Sequence, residues 1–157
     1  MIVDLAGGRA EIPLMKKTNP AQAQAIEGSL EIAAERGGDL TGRVYQRLFA
    51  RHPEMEALFW RDLDGAIKGE MLTRALEAIL DFIGERCWAD HLLGAEVVTH
   101  EGYDVPRAVF TTFFPTVCEA VQEACGEAWT GAMAAAWTRL LADLNVYVSP
   151  SAPTTAE

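Results

Sequence analysis

The residue with the clearest chemical potential is His100, an imidazole at the end of an apolar helical stripe. Leu93 and Val97 precede it at spacings that place all three side chains on one face of a helix. The sequence Gly-Tyr-Asp-Val-Pro at 102–106 then closes the helix. A histidine in this position points into the core, where it is either a hydrogen-bonded core residue or a ligand to a metal ion.

A zinc site is the first metal site to consider, because His100 and Glu101 open a string similar to HExxH. Zinc motifs of this type need a second histidine four residues after the first. Asp104 stands at that position, so a two-histidine zinc site lacks its second ligand.

Helical periodicity in the first half of the chain predicts three helices. Asn19-Pro20 opens the first helix and Gly37-Gly38 ends it, while Asp39 and Thr41 offer caps for a second helix that Pro53 ends. The third helix is closed by Gly84. Its apolar face is predicted at Ile67, Met71, Leu72, Ala75, Leu76, Ile79, Leu80 and Ile83.

The second half continues the pattern. Asp104 is predicted to cap a helix that has Pro106 in its first turn. Pro115 should kink this helix or reset its hydrogen bonding locally. Thr130 is predicted to cap the last helix. No segment has strand character, so we expect an all-α domain over 19–149, with an N-terminal extension at 1–18 and a frayed tail at 150–157.

Composition excludes some classes of function. Of 157 residues, 23 are acidic and 13 basic, which gives a net charge of -10 and makes nucleic acid an unfavourable partner. No apolar run suits a membrane span, and no signal peptide is recognisable, so we expect a cytoplasmic protein. Cys87, Cys118 and Cys125 lack metal-type spacing and are interpreted as buried or half-buried thiols.

Three motifs in fixed order resemble bacterial single-domain globins and the haem domain of flavohaemoglobins, over roughly residues 26–148. They are the segment 44–53 (Val-Tyr-Gln-Arg-Leu-Phe-Ala-Arg-His-Pro) running on to Leu58-Phe59, the stretch 100–105 (His-Glu-Gly-Tyr-Asp-Val), and Ala136-Trp137. The resemblance implies a globin fold of about seven helices that binds one haem b, with His100 as the ligand to its iron.

The resemblance also assigns the residues around the haem. Phe59 would pack on the haem, and Tyr45 would donate a hydrogen bond to iron-bound oxygen, unless it is a tyrosine at the rim of the core with its hydroxyl in water. Leu72 would lie over the ligand site, and Lys68 stands where relatives usually have Gln or His. This lysine could reach a haem propionate, a bound ligand or solvent. Two further haem contacts are assigned to Val97 and Val105.

Two departures from the family bear on mechanism. The tyrosine and glutamate that pair with the proximal histidine in flavohaemoglobins are replaced by Phe110 and about Ala152. We therefore expect no carboxylate or phenolate to bond the second ring nitrogen of His100, which should donate to a backbone carbonyl or to water, with a weak electron push to the iron. No Gly-rich dinucleotide loop is present, so a catalytic cycle would need an external reductase.

The implied function is reversible binding of a diatomic gas, with oxygen foremost and nitric oxide second, for storage, sensing or detoxification. Two alternatives belong to other classes. One is a haem-free globin-fold module in signalling, and the other is a stand-alone NO dioxygenase served by a separate reductase. The sequence does not indicate an oligomeric state.

Overall fold

A computed structural model describes residues 18–148, which fold into seven α-helices and two 3-10 segments without a β-strand. The helices are α1 Pro20–Arg36, α2 Leu40–Arg51, α3 Ala66–Ile83, α4 Ala89–Gly102, α5 Arg107–Phe110, α6 Phe113–Cys125 and α7 Gly131–Val148, and the 3-10 segments are Pro53–Phe59 and Gly126–Ala128.

The all-α prediction is confirmed for this range. The predicted tail and all but one residue of the predicted extension lie outside the described residues. Within the described range, none of the helices combines the length and apolar character that crossing a bilayer requires.

Side-chain caps begin three of these helices where the sequence predicts them. Asn19 and Asp39 accept backbone N–H groups in the first turns of α1 and α2 at 2.8 and 3.1 Å, and Thr130 does the same for α7 at 3.1 Å. Thr41 lies inside α2 and is not its cap. At the C-terminal ends, α1 stops before Gly37 and α3 stops before Gly84, as expected.

The single helix predicted after Asp104 is in fact two helices, α5 and α6. Pro115 is the third residue of α6, where its missing N–H costs no helical hydrogen bond, and the chain breaks just before that helix instead of kinking within it. The prediction that Asp104 caps the helix is also wrong. Asp104 adopts a positive φ of 68°, and Pro106 is the residue that precedes α5.

The core centres on α1, α6 and α7, which pack against one another. Trp137 of α7 is fully buried, and its indole N–H donates to the hydroxyl of Ser29 at 2.9 Å. That hydroxyl in turn donates to the carbonyl of Ile26 at 2.7 Å. The buried thiol of Cys125 donates to the carbonyl of Ser29 at 3.3 Å, which completes a satisfied polar cluster inside the core.

A ladder of ion pairs joins α2 to α6 across the outer surface. Arg51 lies 2.6 Å from Glu119, Arg47 lies 3.6 Å from Glu119, and both Arg43 and Arg47 pair with Glu123. Because these side chains are a third or more exposed, each pair adds little to stability. Together the pairs connect α2, the helix that carries Tyr45, to α6.

Two details of burial correct the sequence analysis. Leu80, predicted on the buried face of α3, is 45% exposed, while Phe82 on the same helix is fully buried. Cys87 is exposed, so its interpretation as a buried or half-buried thiol is wrong. The interpretation is confirmed for Cys118 and Cys125, and burial raises the pKa of the Cys118 thiol to about 11, with a smaller effect from the charge of Glu119.

Candidate functional site

A cavity of about 500 Å³ is enclosed mainly by α3 and α4, with α2, α5, α6 and the first 3-10 segment completing its wall. Most of the wall is aliphatic or aromatic. The polar exceptions that bear on chemistry are Tyr45, Arg61, Asp62, Arg74, Glu96 and His100. A deep apolar cavity with a few convergent polar groups is the usual form of a cofactor or ligand site.

One face of α3 lines the cavity, and it is not the face expected from sequence. Ile67, Met71 and Ala75 reach the wall, at intervals of four residues. Leu72 instead lies in the hydrophobic core at 3% exposure, and Lys68 is not part of the wall. The roles of Leu72 and Lys68 as haem contacts therefore remain predictions. Ile67 and Met71 line the wall, although the sequence predicts them only as part of an apolar stripe.

Lys68 is instead held by Asp62, whose side chain is completely inaccessible to solvent. The Lys68 ammonium lies 2.8 Å from the carboxylate of Asp62 and 5.3 Å from the centroid of the Phe59 ring. Asp62 also accepts the backbone N–H groups of Ile67 and Lys68, both at 3.0 Å, and so caps the start of α3. Sequence reasoning missed this role because a capping side chain normally bonds an N–H two or three residues away, not five or six.

The charge state of Asp62 follows from these contacts. Burial alone would raise the pKa of Asp62, but the hydrogen bonds from Lys68 and Ile67 and the positive charge of Lys68 lower it to about 2. Asp62 is therefore an ionised acceptor at neutral pH. It cannot donate a hydrogen bond into the cavity.

Tyr45 lies in the cavity wall and is held by aromatic neighbours. The centroid of its ring lies 5.5 Å from that of Phe59, 5.8 Å from that of Phe49 and 6.0 Å from that of Phe113. Its hydroxyl forms no hydrogen bond with any residue of the range 18–148. Burial, and then the charge of Asp62, raise the pKa of Tyr45 well above its ordinary value, so the phenol stays protonated and can donate.

His100 lies in the last turn of α4 and also lines the cavity. Its Nδ1 lies 2.8 Å from the carbonyl oxygen of Glu96, and its ring centroid lies 4.8 Å from that of Phe110. Because a carbonyl can only accept, Nδ1 carries the proton and Nε2 keeps its lone pair. Nε2 has no hydrogen-bond partner in the described part of the chain.

Nδ1 of His100 has the kind of acceptor that the sequence predicts. A backbone carbonyl was one of the two acceptors expected for Nδ1, and the carbonyl of Glu96 fills that place. The carboxylate of Glu96 is a further neighbour of this nitrogen, with Oε2 3.4 Å from Nδ1, but it forms no hydrogen bond with the ring. The signal was present in the sequence, since residues four apart share one face of a helix.

The structure brings together four of the seven predicted site residues around the cavity, namely Tyr45, Phe59, His100 and Val105. Val97 lies in the core at 3% exposure. Like Leu72 and Lys68, it does not reach the cavity wall. Among 18–148, no group of three or more His, Cys, Asp or Glu side chains is arranged to hold a metal ion. A metal ion in this cavity would therefore have a single protein ligand, the imidazole of His100. One protein ligand is enough for a metal that a macrocycle already holds.

Comparison with known proteins identifies the family. A family model described as Globin matches residues 42–147, a range that contains the cavity wall from α2 to α6. No curated protein and no solved structure gives a match. Globins typically hold a haem through a histidine and bind gases at its iron. With its match over more than half of the sequence and its helical fold around a histidine-lined cavity, the chain belongs to the globin family.

Proposed function

We propose that this protein binds one haem b through His100 and reversibly binds a diatomic gas at the haem iron. The observation that carries the proposal is the state of His100 in the cavity wall. Its Nδ1 proton is engaged by the carbonyl of Glu96 at 2.8 Å, which leaves the Nε2 lone pair for a metal. A hydrogen bond on one nitrogen that fixes the tautomer and orientation of the ring is characteristic of metal-binding histidines.

The remaining wall suits the rest of a haem. Aliphatic and aromatic side chains suit its macrocycle, and the guanidinium groups of Arg61 and Arg74 are available to its carboxylates. Arg61 also lies over the ring of Trp60, with its guanidinium carbon 4.7 Å from the ring centroid. When bound, the haem would supply an iron with a coordination position for a gas.

Oxygen is the ligand that the described residues support best. Tyr45 offers a neutral hydroxyl on the cavity wall, and Ile67 and Met71 offer apolar surface. A phenol stabilises a polar bound ligand such as oxygen more than a less polar one such as carbon monoxide. Nitric oxide is the second candidate. Lys68 is engaged by Asp62, so Tyr45 is the residue that we assign as donor.

A second candidate function is NO dioxygenase activity served by an external reductase. The carboxylate of Glu96, 3.4 Å from Nδ1 of His100, favours it because a negative partner makes a ligating imidazole more electron-donating. In both cases we propose that the protein acts in the cytoplasm and is related to the bacterial globins that its motifs resemble.

Reconstitution with haemin tests the proposal directly. The wild-type protein should take up one equivalent and show a Soret band that responds to oxygen and carbon monoxide. His100→Ala should lose stable uptake while its far-UV circular dichroism keeps the helical signal, because the apolar helix faces remain. His52→Ala and His91→Ala are matched controls, since neither histidine lines the cavity.

Two outcomes would count against this function. A His100→Ala variant with the wild-type Soret band would refute the assignment of the iron ligand. A wild-type protein that stays colourless after haemin is added would instead favour a haem-free signalling module.

A further inference from the structure

We infer that Glu96 is a positioning residue for the haem ligand, and that its carboxylate strengthens electron donation from His100 to the iron. The inference rests on the proposed function, because it concerns a ligating His100. Glu96 places one hydrogen-bond acceptor and one negative charge next to the same ring nitrogen. Its carbonyl oxygen lies 2.8 Å from Nδ1, and its carboxylate Oε2 lies 3.4 Å from the same atom.

The helix and its neighbours favour this arrangement. Glu96 lies one turn before His100 on α4, so its side chain lies along the same helix face. Phe110 packs against the imidazole with a centroid separation of 4.8 Å, which restricts rotation of the ring. The imidazole is therefore held in the orientation in which Nδ1 faces Glu96.

No competing cation neutralises the carboxylate. Among the residues of 18–148, no lysine or arginine forms an ion pair with Glu96, and nearby Arg107 is paired with Glu101 at 3.1 Å. The side chain of Glu96 is 29% exposed and lines the cavity, so its charge is only partly screened by water. The imidazole of His100 is thus the polar partner of this carboxylate.

The consequence for the haem follows from the charge of the carboxylate. A negative charge 3.4 Å from Nδ1 stabilises the positive charge that builds up on a metal-bound imidazole as it donates electrons, and so makes the imidazole more basic. We therefore expect the iron–histidine bond of this protein to be stronger than one supported by a carbonyl alone. Glu96 acts through His100 and does not itself touch the iron.

Glu96→Gln and Glu96→Ala separate charge from shape, and Glu101→Gln is the matched control next to His100. The readouts are the iron–histidine stretch in resonance Raman spectra of the ferrous protein and the ferric/ferrous midpoint potential. Both Glu96 variants should show a lower stretching frequency and a higher midpoint potential, while Glu101→Gln should match the wild type. Wild-type values in Glu96→Gln would overturn the inference.

A measurement on the haem-free protein keeps the two proposals distinguishable. In nitrogen-15 NMR spectra, the Nδ1 proton of His100 should exchange with water faster in Glu96→Gln than in the wild type or in Glu101→Gln. Equal exchange rates would overturn the contact between Glu96 and His100 even if haem binds. If the wild type takes up no haem, the proposed function fails first, and the tuning of the iron fails with it.

Discussion

Replacing Tyr45 by phenylalanine removes one hydroxyl and little else. The rings of Phe49, Phe59 and Phe113 hold the side chain by its aromatic faces and edges, and all of these contacts survive in the variant. Because the hydroxyl has no hydrogen bond within 18–148, its loss leaves no protein group unsatisfied. The substitution therefore isolates the hydrogen bond that we assign to bound oxygen.

The expected magnitude follows from the value of one buried hydrogen bond. Such a bond contributes about 0.5 to 1.5 kcal/mol net, and about 1.4 kcal/mol, near the upper end of that range, corresponds to a tenfold change in rate. Burial and the charge of Asp62 raise the pKa of Tyr45, so the donor is fully protonated and the whole effect should appear at neutral pH. Oxygen release from Tyr45→Phe should be about tenfold faster than from the wild type.

Stopped-flow displacement of oxygen by carbon monoxide measures this rate. Release of carbon monoxide, measured by displacement with nitric oxide, should change much less because that ligand is less polar when bound. Tyr103→Phe is the matched control, since Tyr103 also contributes to the wall but is 73% exposed. Equal acceleration for both gases, or none for oxygen, would place the Tyr45 hydroxyl outside the gas site and refute the assignment.

Two further predictions concern stability, and both can be measured by urea denaturation. Ser29→Ala should lower the free energy of unfolding by about 1 to 3 kcal/mol, because the buried indole N–H of Trp137 loses its acceptor; no measurable loss would show that another acceptor replaces it. Asp62 has its pKa lowered to about 2, so its contribution to stability is present above the unfolded-state pKa of about 3.9 and is lost as the pH falls towards 2. Asp62→Asn should therefore be less stable than the wild type at pH 6 but approach it near pH 2, and a difference independent of pH would contradict this reasoning.

The parts of the fold that could be predicted from sequence are those set by local chemistry. Asn19, Asp39 and Thr130 cap helices because a short polar side chain can reach a free N–H within its own first turn. Gly37 and Gly84 end helices for similarly local reasons. The position of His100 on an inward-facing side of its helix could be predicted because the apolar stripe before it and the helix break after it are both close to it in sequence.

The parts that could not be predicted depend on contacts that skip along the chain. Asp62 bonds N–H groups five and six residues away, which requires the loop before α3 to fold back on the helix. The division between α5 and α6 also escaped prediction, since Pro106 and Pro115 are each compatible with the first turn of a helix and the apolar spacing runs across the break. The contact of Glu96 with His100, in contrast, is local and was within reach of sequence reasoning, because residues four apart share one face of a helix.

The register of α3 decides which of its side chains line the cavity, and an error of one residue assigns the wrong ones to the gas site. A shift of one residue rotates the helix face by about 100°, and Met71 and Leu72 are both apolar, so periodicity accepts either one at the cavity. In the structure Met71 reaches the cavity wall, while Asp62 caps α3 and engages Lys68 in an ion pair. Because Lys68 is engaged and Asp62 is ionised, the hydroxyl of Tyr45 is the donor that we assign to bound oxygen, and oxygen release should respond to its removal more strongly than to a change at Lys68.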